Sequence, residues 1–195
     1  MSFNIRENLK ERNFQIDRYR FATIDDEENL LQLICWSLSG NMTGYIQYRP
    51  DMAKDKRNDE GKGRYYIRRG EGFDVPWGLE TYHYRSDILF IVEGIFSAVH
   101  FHNLNLPCIS VLTNNPKPIL NWLYIISNIK KLIVVPDNDN AGNKLVKYGH
   151  TSLIIPKQYK DTNDMSNYQF YEWISSCMRD GLLPNHLLNN SLIYL

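Results

Sequence analysis

The residues best placed to do chemistry are the two aspartates in Lys131-Leu132-Ile133-Val134-Val135-Pro136-Asp137-Asn138-Asp139-Asn140-Ala141-Gly142. Asp137 and Asp139 stand one residue apart at the end of a β-branched and aliphatic run, close enough to share one divalent cation through hard oxygen ligands. Read alone, Asp-Asn-Asp-Asn could equally be a polar turn that caps a following helix. Two other stretches shift that balance. Glu93-Gly94 ends the apolar run 88–92, and Asp161 and Asp164 follow the run 152–155. If these runs are strands of one parallel sheet, their carboxyl ends point to one edge, where open parallel sheets collect their ligand chemistry. Five carboxylates, Glu93, Asp137, Asp139, Asp161 and Asp164, would then crowd together and repel. A divalent cation is the ordinary way to offset such repulsion. With no His or Cys at the strand ends, Mg²⁺ or Mn²⁺ suits the donors better than Zn²⁺. Gly94, beside Glu93, leaves room for a phosphate or metal to approach the backbone.

The elements that must position these acids read as β/α alternation. Strands are predicted over 88–92, 108–112, 132–135 and 152–155, with helices over 95–103, roughly 117–128 and near 141–149. Units of this length imply a parallel sheet with right-handed crossovers. Ahead of it, 30–37 and 44–49 form a hairpin around Ser39-Gly40-Asn41, which Pro50 ends. Residues 51–64 are a charged, Gly-containing loop and 65–69 a further strand. Residues 1–20 read as a short helix or arm anchored by Phe14, Ile16 and Tyr19. The tail carries Phe170, Tyr171, Trp173, Ile174 and Cys177 at helical spacing. It would either pack on the sheet or dock a partner. The expected organisation is a small basic α+β subdomain over 1–85, an α/β domain over 86–166 and a helical tail over 167–195.

Composition limits the partners. With 22 Lys+Arg against 22 Asp+Glu among 195 residues, the chain has no global basic field, so nucleic acid must be held by a local patch. The best local patch runs from Lys54 to Arg69, with seven basic residues against three acidic and with Tyr65 and Tyr66 interleaved. Charge combined with aromatic faces is how proteins track single strands, although a solvated loop beside a core strand would look the same. Cys35, Cys108 and Cys177 form no CxxC pair, which excludes a sequence-local zinc ribbon and gives no disulfide framework. The absence of a signal segment or an apolar run of membrane-spanning length completes the expectation of a cytoplasmic protein. His100 and His102, two residues apart on a predicted helix, read as surface positions, and His83 as structural. Trp122 and Trp173 read as core.

These residues resemble a known family. Glu93-Gly94 after one strand, Asp137-x-Asp139-x-Ala141-Gly142 after another, and Lys160-Asp161-x-Asn163-Asp164 further on are similar to the Toprim domain of topoisomerases, bacterial and phage primases and some nucleases. The similarity covers about residues 86–165. Gly44-Tyr45-Ile46-Gln47-Tyr48-Arg49, Gly63-Arg64-Tyr65-Tyr66-Ile67 and Trp77-Gly78-Leu79 resemble, more loosely, the small basic subdomain that precedes Toprim in bacterial- and phage-type primases. The resemblance implies that Glu93 serves metal-assisted or acid/base chemistry, that Asp137 and Asp139 are Mg²⁺ ligands, and that Asp161 is a further acid of the metal site. Asp164 matches a more variable position. Arg49, Arg64 and Lys62 would hold template or nucleotide phosphates, with Arg68, Arg69 and Tyr65 beside them. Asn138 departs from the small or apolar residue often found there. No zinc-binding module, helicase or phosphate-binding P-loop accompanies these motifs, which implies a minimal primase that depends on partners supplied in trans.

The leading reading is therefore a primase-like nucleotidyltransferase that joins NTPs into short RNA on single-stranded DNA with Mg²⁺ or Mn²⁺. A helicase or other replication protein would be its partner, and a phage or mobile element a natural source. A Toprim nuclease acting on phosphodiesters and a non-catalytic replication accessory are the alternatives.

Overall fold

A buried face shared by two antiparallel strands organises the N-terminal part of the chain. In strand β2 (Leu30–Trp36), Leu31, Leu33 and Cys35 are buried, and in β3 (Met42–Tyr48) they lie opposite Tyr48, Ile46 and Gly44 in antiparallel register. Gly40, at φ +81°, turns this hairpin. β1 (Thr23–Asp25) and β4 (Tyr65–Arg69) extend it to a four-stranded antiparallel sheet in the order β1-β2-β3-β4. Helix α1 (Ile5–Glu11) starts at Asn4, whose side chain accepts the N–H groups of Arg6 and Glu7. It packs on one sheet face, where the Tyr48 hydroxyl donates to Asn8 Oδ1 at 2.8 Å. Phe14 and Tyr19 are buried and stacked at 4.8 Å, as expected of anchors. Ile16 is only half-buried, and the deeper anchors are Ile5 and Leu9. The pair sits four residues apart on one helical face, a signal easily lost in a seven-residue polar segment.

The second part is a parallel sheet of β5 (Ile88–Val92), β6 (Cys108–Ser110), β7 (Lys131–Val134) and β8 (Thr151–Ser152), in the order β6-β5-β7-β8. All five residues of β5 are buried, as a central parallel strand covered on both faces requires. Helices α2 (Ile95–Asn103), α3 (Leu120–Ser127) and α4 (Asn167–Arg179) flank it. Phe90, Phe101 and Phe170 link β5, α2 and α4 in one aromatic core, with centroids 4.6 and 4.8 Å apart. The α4 part of the tail therefore packs on the core, and Ser166 and Gln169 form a capping box at its start.

This computed structural model describes residues 3–54, 59–70, 76–83, 86–113, 115–140 and 142–188, so Lys56 and Arg57 of the basic loop, Ala141 and the last seven residues lie outside the described residues. The chain divides into two units, Met1–Val75 and Pro76–Leu195. Trp77-Gly78-Leu79, grouped by sequence with the first subdomain, belongs instead to the second. Trp77 exchanges two backbone hydrogen bonds with Ser110, at 3.0 and 2.9 Å, and so extends the sheet beyond β6. The expected helix near 141–149 is replaced by two short 3₁₀ turns, Gly142–Lys144 and Val146–Tyr148. Glycines at both ends and a β-branched residue between them disfavour a helical nucleus there. His100 and His102 are each 1% exposed, not surface residues. His102 Nε2 meets the Cys108 carbonyl at 2.9 Å and its ring lies against Trp77, because α2 is covered all round. All three cysteines are free and buried, and no helix among the described residues is long and apolar enough to cross a membrane.

Candidate active site

The strand order creates the site. From β5 the chain moves to β6 on one side, and from β7 it moves to β8 on the other. The adjacent ends of β5 and β7 therefore form the topological switch point, where parallel sheets open a crevice. Register aligns those ends: Ile91 pairs with Val134, and the Val135 N–H donates to the Ile91 carbonyl at 2.9 Å. Glu93 stands one residue past β5 and Asp137 three past β7.

Each acid is held by its own short-range contacts. The Glu93 carbonyl accepts the Ser110 hydroxyl at 2.7 Å and the Leu112 N–H at 2.9 Å, which ties its backbone to the end of β6. The Asp137 loop is folded tightly on itself. The Asp139 N–H donates to the Asp137 carbonyl at 2.8 Å, and Asp139 Oδ1 accepts the Gly142 N–H at 2.7 Å. A Cβ on Gly142 would press into the Asp137 backbone, lying 2.8 Å from its nitrogen. The Asp-x-Asp-x-x-Gly spacing is thus a geometric unit. Gly94 differs. A Cβ there would touch only Ser97 Oγ, at 4.0 Å, and its φ of −100° suits any residue, so the chain itself does not require glycine at this place.

Asp161 opens the last acidic segment as the cap of a 3₁₀ turn, its Oδ1 accepting the Asn163 N–H at 2.9 Å. Thr162, 1% exposed, anchors that turn to the Ser97 carbonyl of α2 at 3.3 Å. Asn138, which the sequence marks only as a departure from the family's pattern, adds a clamp. Its side-chain amide reaches the carbonyls of Tyr159 at 2.7 Å, Ile155 at 3.1 Å and Pro156 at 3.2 Å, and its backbone N–H reaches the Lys160 carbonyl at 2.7 Å.

The electrostatic result is concentrated on Asp137. Burial, reinforced by the charges of Asp161, Glu93 and Asp139 in that order, pushes its carboxyl up to about 7, while Lys160 pulls the other way. Three of the other four predicted acids, Asp161, Glu93 and Asp139, therefore act on Asp137 at the switch point. Asp164 is not among the groups that act on Asp137, and its Oδ2 accepts the Lys160 N–H at 2.9 Å, closing the turn locally. Among the described residues no three carboxylate, imidazole or thiol groups stand together as a finished metal shell. Mg²⁺ does not need one, since it keeps several waters and is usually held by one or two carboxylates plus substrate phosphates. Asp137 with Asp139, Asp161 or Glu93 would be the carboxylates for such an ion, and their hard oxygens are the donor type it takes.

In the other unit the basic candidates separate by face. Tyr65 lies opposite Tyr48, with rings 5.1 Å apart on the α1 side, and Arg69 follows Tyr65 by four residues on that same face. Arg68 pairs with Tyr45 on the opposite face, and Tyr66, whose hydroxyl raises the Arg68 pKa, lies beside it. Arg49 is half-buried, its Nη1 donating to Gln47 Oε1 at 3.3 Å. Arg64 Nε donates to the Met52 carbonyl at 3.0 Å and so holds its loop. Lys62 is exposed, 4.0 Å from Asp59.

Comparison with known proteins rests on structure. No family model matches the sequence, and no curated protein matches it either. Solved structures do. A DnaG catalytic core is similar over 91% of this chain and 72% of that one, with a TM-score of 0.66 and 13% identity. The primase fragment of the bacteriophage T7 primase-helicase protein is similar over 83% of this chain and 77% of its own length, at TM-score 0.57 and 14% identity. A DnaG primase catalytic domain bound to single-stranded DNA is similar over 90% of this chain and 60% of that one, at TM-score 0.55 and 13% identity. The architecture is thus the one the Toprim resemblance implies.

Proposed function

We propose that this chain, which has the fold of DnaG-type primase catalytic cores, is a metal-dependent nucleotidyltransferase that joins NTPs into short RNA on a single-stranded DNA template. One observation carries the reading: Glu93, Asp137, Asp139 and Asp161 converge from three segments on the switch point between β5 and β7, with Asp137 pushed up to about 7. Repulsion of this kind has no value to a module that only binds, and it is relieved when a cation is held.

Asp137 and Asp139 would hold Mg²⁺ or Mn²⁺, with Asp161 and Glu93 as further acids of the site. When bound, the ion would orient the triphosphate and stabilise charge on the leaving pyrophosphate. The chain's own residues supply the rest. Glu93, with its backbone fixed by Ser110 and Leu112, can take the proton from an attacking hydroxyl, while Asp137 gives up its own proton when the ion is held. Lys160, which lowers the Asp137 pKa, adds a cation toward which phosphate is drawn. Template contacts would fall to Arg68, beside Tyr45, with Arg49 and Lys62 of the N-terminal unit, since Tyr65 and Arg69 lie on the face that carries α1 and Arg64 holds the Met52 carbonyl. The DNA-bound state of a similar catalytic domain supports single-stranded DNA as template. A helicase or another replication protein in the host cytoplasm would be the partner.

Incubation with single-stranded DNA, labelled NTPs and Mg²⁺ or Mn²⁺, scoring synthesis and strand cleavage together, tests the reading. Short labelled RNA that disappears in Asp137→Asn supports it. Cleavage without synthesis makes the protein a nuclease that uses the same acids. Template binding with neither reaction makes it an accessory.

A further inference from the structure

We infer that Asn138 is a positioning residue that holds the Asp161 segment against Asp137, and that metal capture depends on it. The inference rests on the metal-dependent reading above and concerns a residue that is not itself a ligand. The acids of the site come from separate segments, and their convergence must be maintained by something other than their own charges, which push them apart. Glu93 is fixed through β6, and Asp139 through Gly142. β8, the strand leading toward Asp161, has only two residues, and its ladder to β7 ends at Ser152 with the Leu153 N–H on the Val134 carbonyl. Between that point and Asp161 the chain runs through Pro156 without further strand pairing. Asn138 spans this gap.

Its geometry is that of a donor clamp. An amide NH₂ carries two protons, so one serves Tyr159, at 2.7 Å, and the other is shared between Ile155 and Pro156, at 3.1 and 3.2 Å. All three partners are carbonyl oxygens, which fixes the orientation of the side chain, since its own oxygen would be repelled there. The backbone N–H of Asn138 reaches the Lys160 carbonyl, one residue before Asp161. Asn138 therefore contacts four residues of the 155–160 segment while lying between two of the acids. Thr162 holds the far side of Asp161 to α2, so the acid is pinned from both directions. The side chain of Asn138 is exposed, so its removal leaves the hydrophobic core untouched.

Asn138→Asp separates positioning from simple charge. It keeps the shape and adds a carboxylate beside Asp137 and Asp139, but it places an oxygen against three carbonyls. If Asn138 acts as a clamp, Mn²⁺ binding to the whole chain, followed by electron paramagnetic resonance at pH 8, weakens at least tenfold in Asn138→Asp and in Asn138→Ala. Circular dichroism and a cooperative melt remain. Equal or tighter Mn²⁺ binding in both variants overturns the inference and leaves the metal site standing. A wild-type chain that binds no Mn²⁺ removes the metal reading itself, and the inference with it. Loss of the folded signal in both variants assigns Asn138 to the general fold and also overturns it.

Discussion

Two glycines stand beside the acidic residues, and their surroundings predict opposite fates. Gly142→Ala would drive a Cβ into the Asp137 backbone, so the loop must shift, at about 1–3 kcal/mol by the usual cost of overpacking. Gly94→Ala meets only Ser97 Oγ and should stay within about 0.5 kcal/mol of wild type. If Gly94 is kept open for substrate, Gly94→Ala melts normally yet loses primer synthesis. Normal synthesis would show that the space has no use. Asp137 makes a second prediction. Its folded-state pKa is raised from the ordinary 3.8 to about 7, so between those values the folded state binds more protons than the unfolded one. Without divalent ions, stability should therefore fall as pH rises from about 4 to about 7 and level off above. Asp137→Asn removes the slope. At pH 8 it should be the more stable protein by on the order of 1 kcal/mol, roughly 2–4 °C in Tm for a chain of this size. The same proton competes with the metal, so Mn²⁺ affinity should rise up to tenfold per unit through pH 6 and plateau above about 7. A variant that melts lower than wild type at pH 8 would make Asp137 a structural residue.

Elements differ in how much of this was legible beforehand. β5 and β7 could be read because a central parallel strand is apolar without interruption, and α2 because its run begins at Gly94. With them came the placement of Glu93, Asp137 and Asp139. The 3₁₀ turns after Asp139 could not be read, since the deciding contact, Gly142 on the Asp137 backbone, is tertiary. Nor could Asn138, whose acceptors lie 17 to 21 residues away and are backbone atoms that leave no mark on composition. β4 shows a different limit. Its basic residues looked like one patch in sequence, but the two-residue period of a strand sends Arg68 and Arg69 to opposite faces. They cannot both line one face of a strand of nucleic acid. The Arg69 face already carries α1 through Tyr48 and Asn8, which leaves the Arg68 face, with the half-buried Tyr45, as the better template surface. Arg68→Ala should therefore reduce the salt slope of single-strand binding by about 0.7, one phosphate contact, and Arg69→Ala should leave it unchanged. The reverse result would move the template to the α1 side.

At the scale of the whole molecule the ruling fact is charge balance. A net charge of zero means that no long-range field draws a polyanion in, so template capture depends on a few short-range contacts. Most nucleic-acid affinity comes from neutralised phosphates, and several cations here are already committed: Arg64 holds the Met52 carbonyl, and Arg6 is paired with Asp26 at 2.6 Å. Turnover at low template concentration should then be limited by capture and not by chemistry. Tethering decides this. A single-strand-binding module fused through a flexible linker raises the local template concentration to about the millimolar range without touching the acids. Primer synthesis at nanomolar template should rise by on the order of a hundredfold, while the rate at saturating template stays the same. The gain should vanish in Asp137→Asn, which still receives the template but lacks the site, and should shrink as salt weakens the module's own grip. If tethering leaves the low-template rate unchanged, the slow step lies among Glu93, Asp137, Asp139 and Asp161 themselves, and the neutral surface is no handicap.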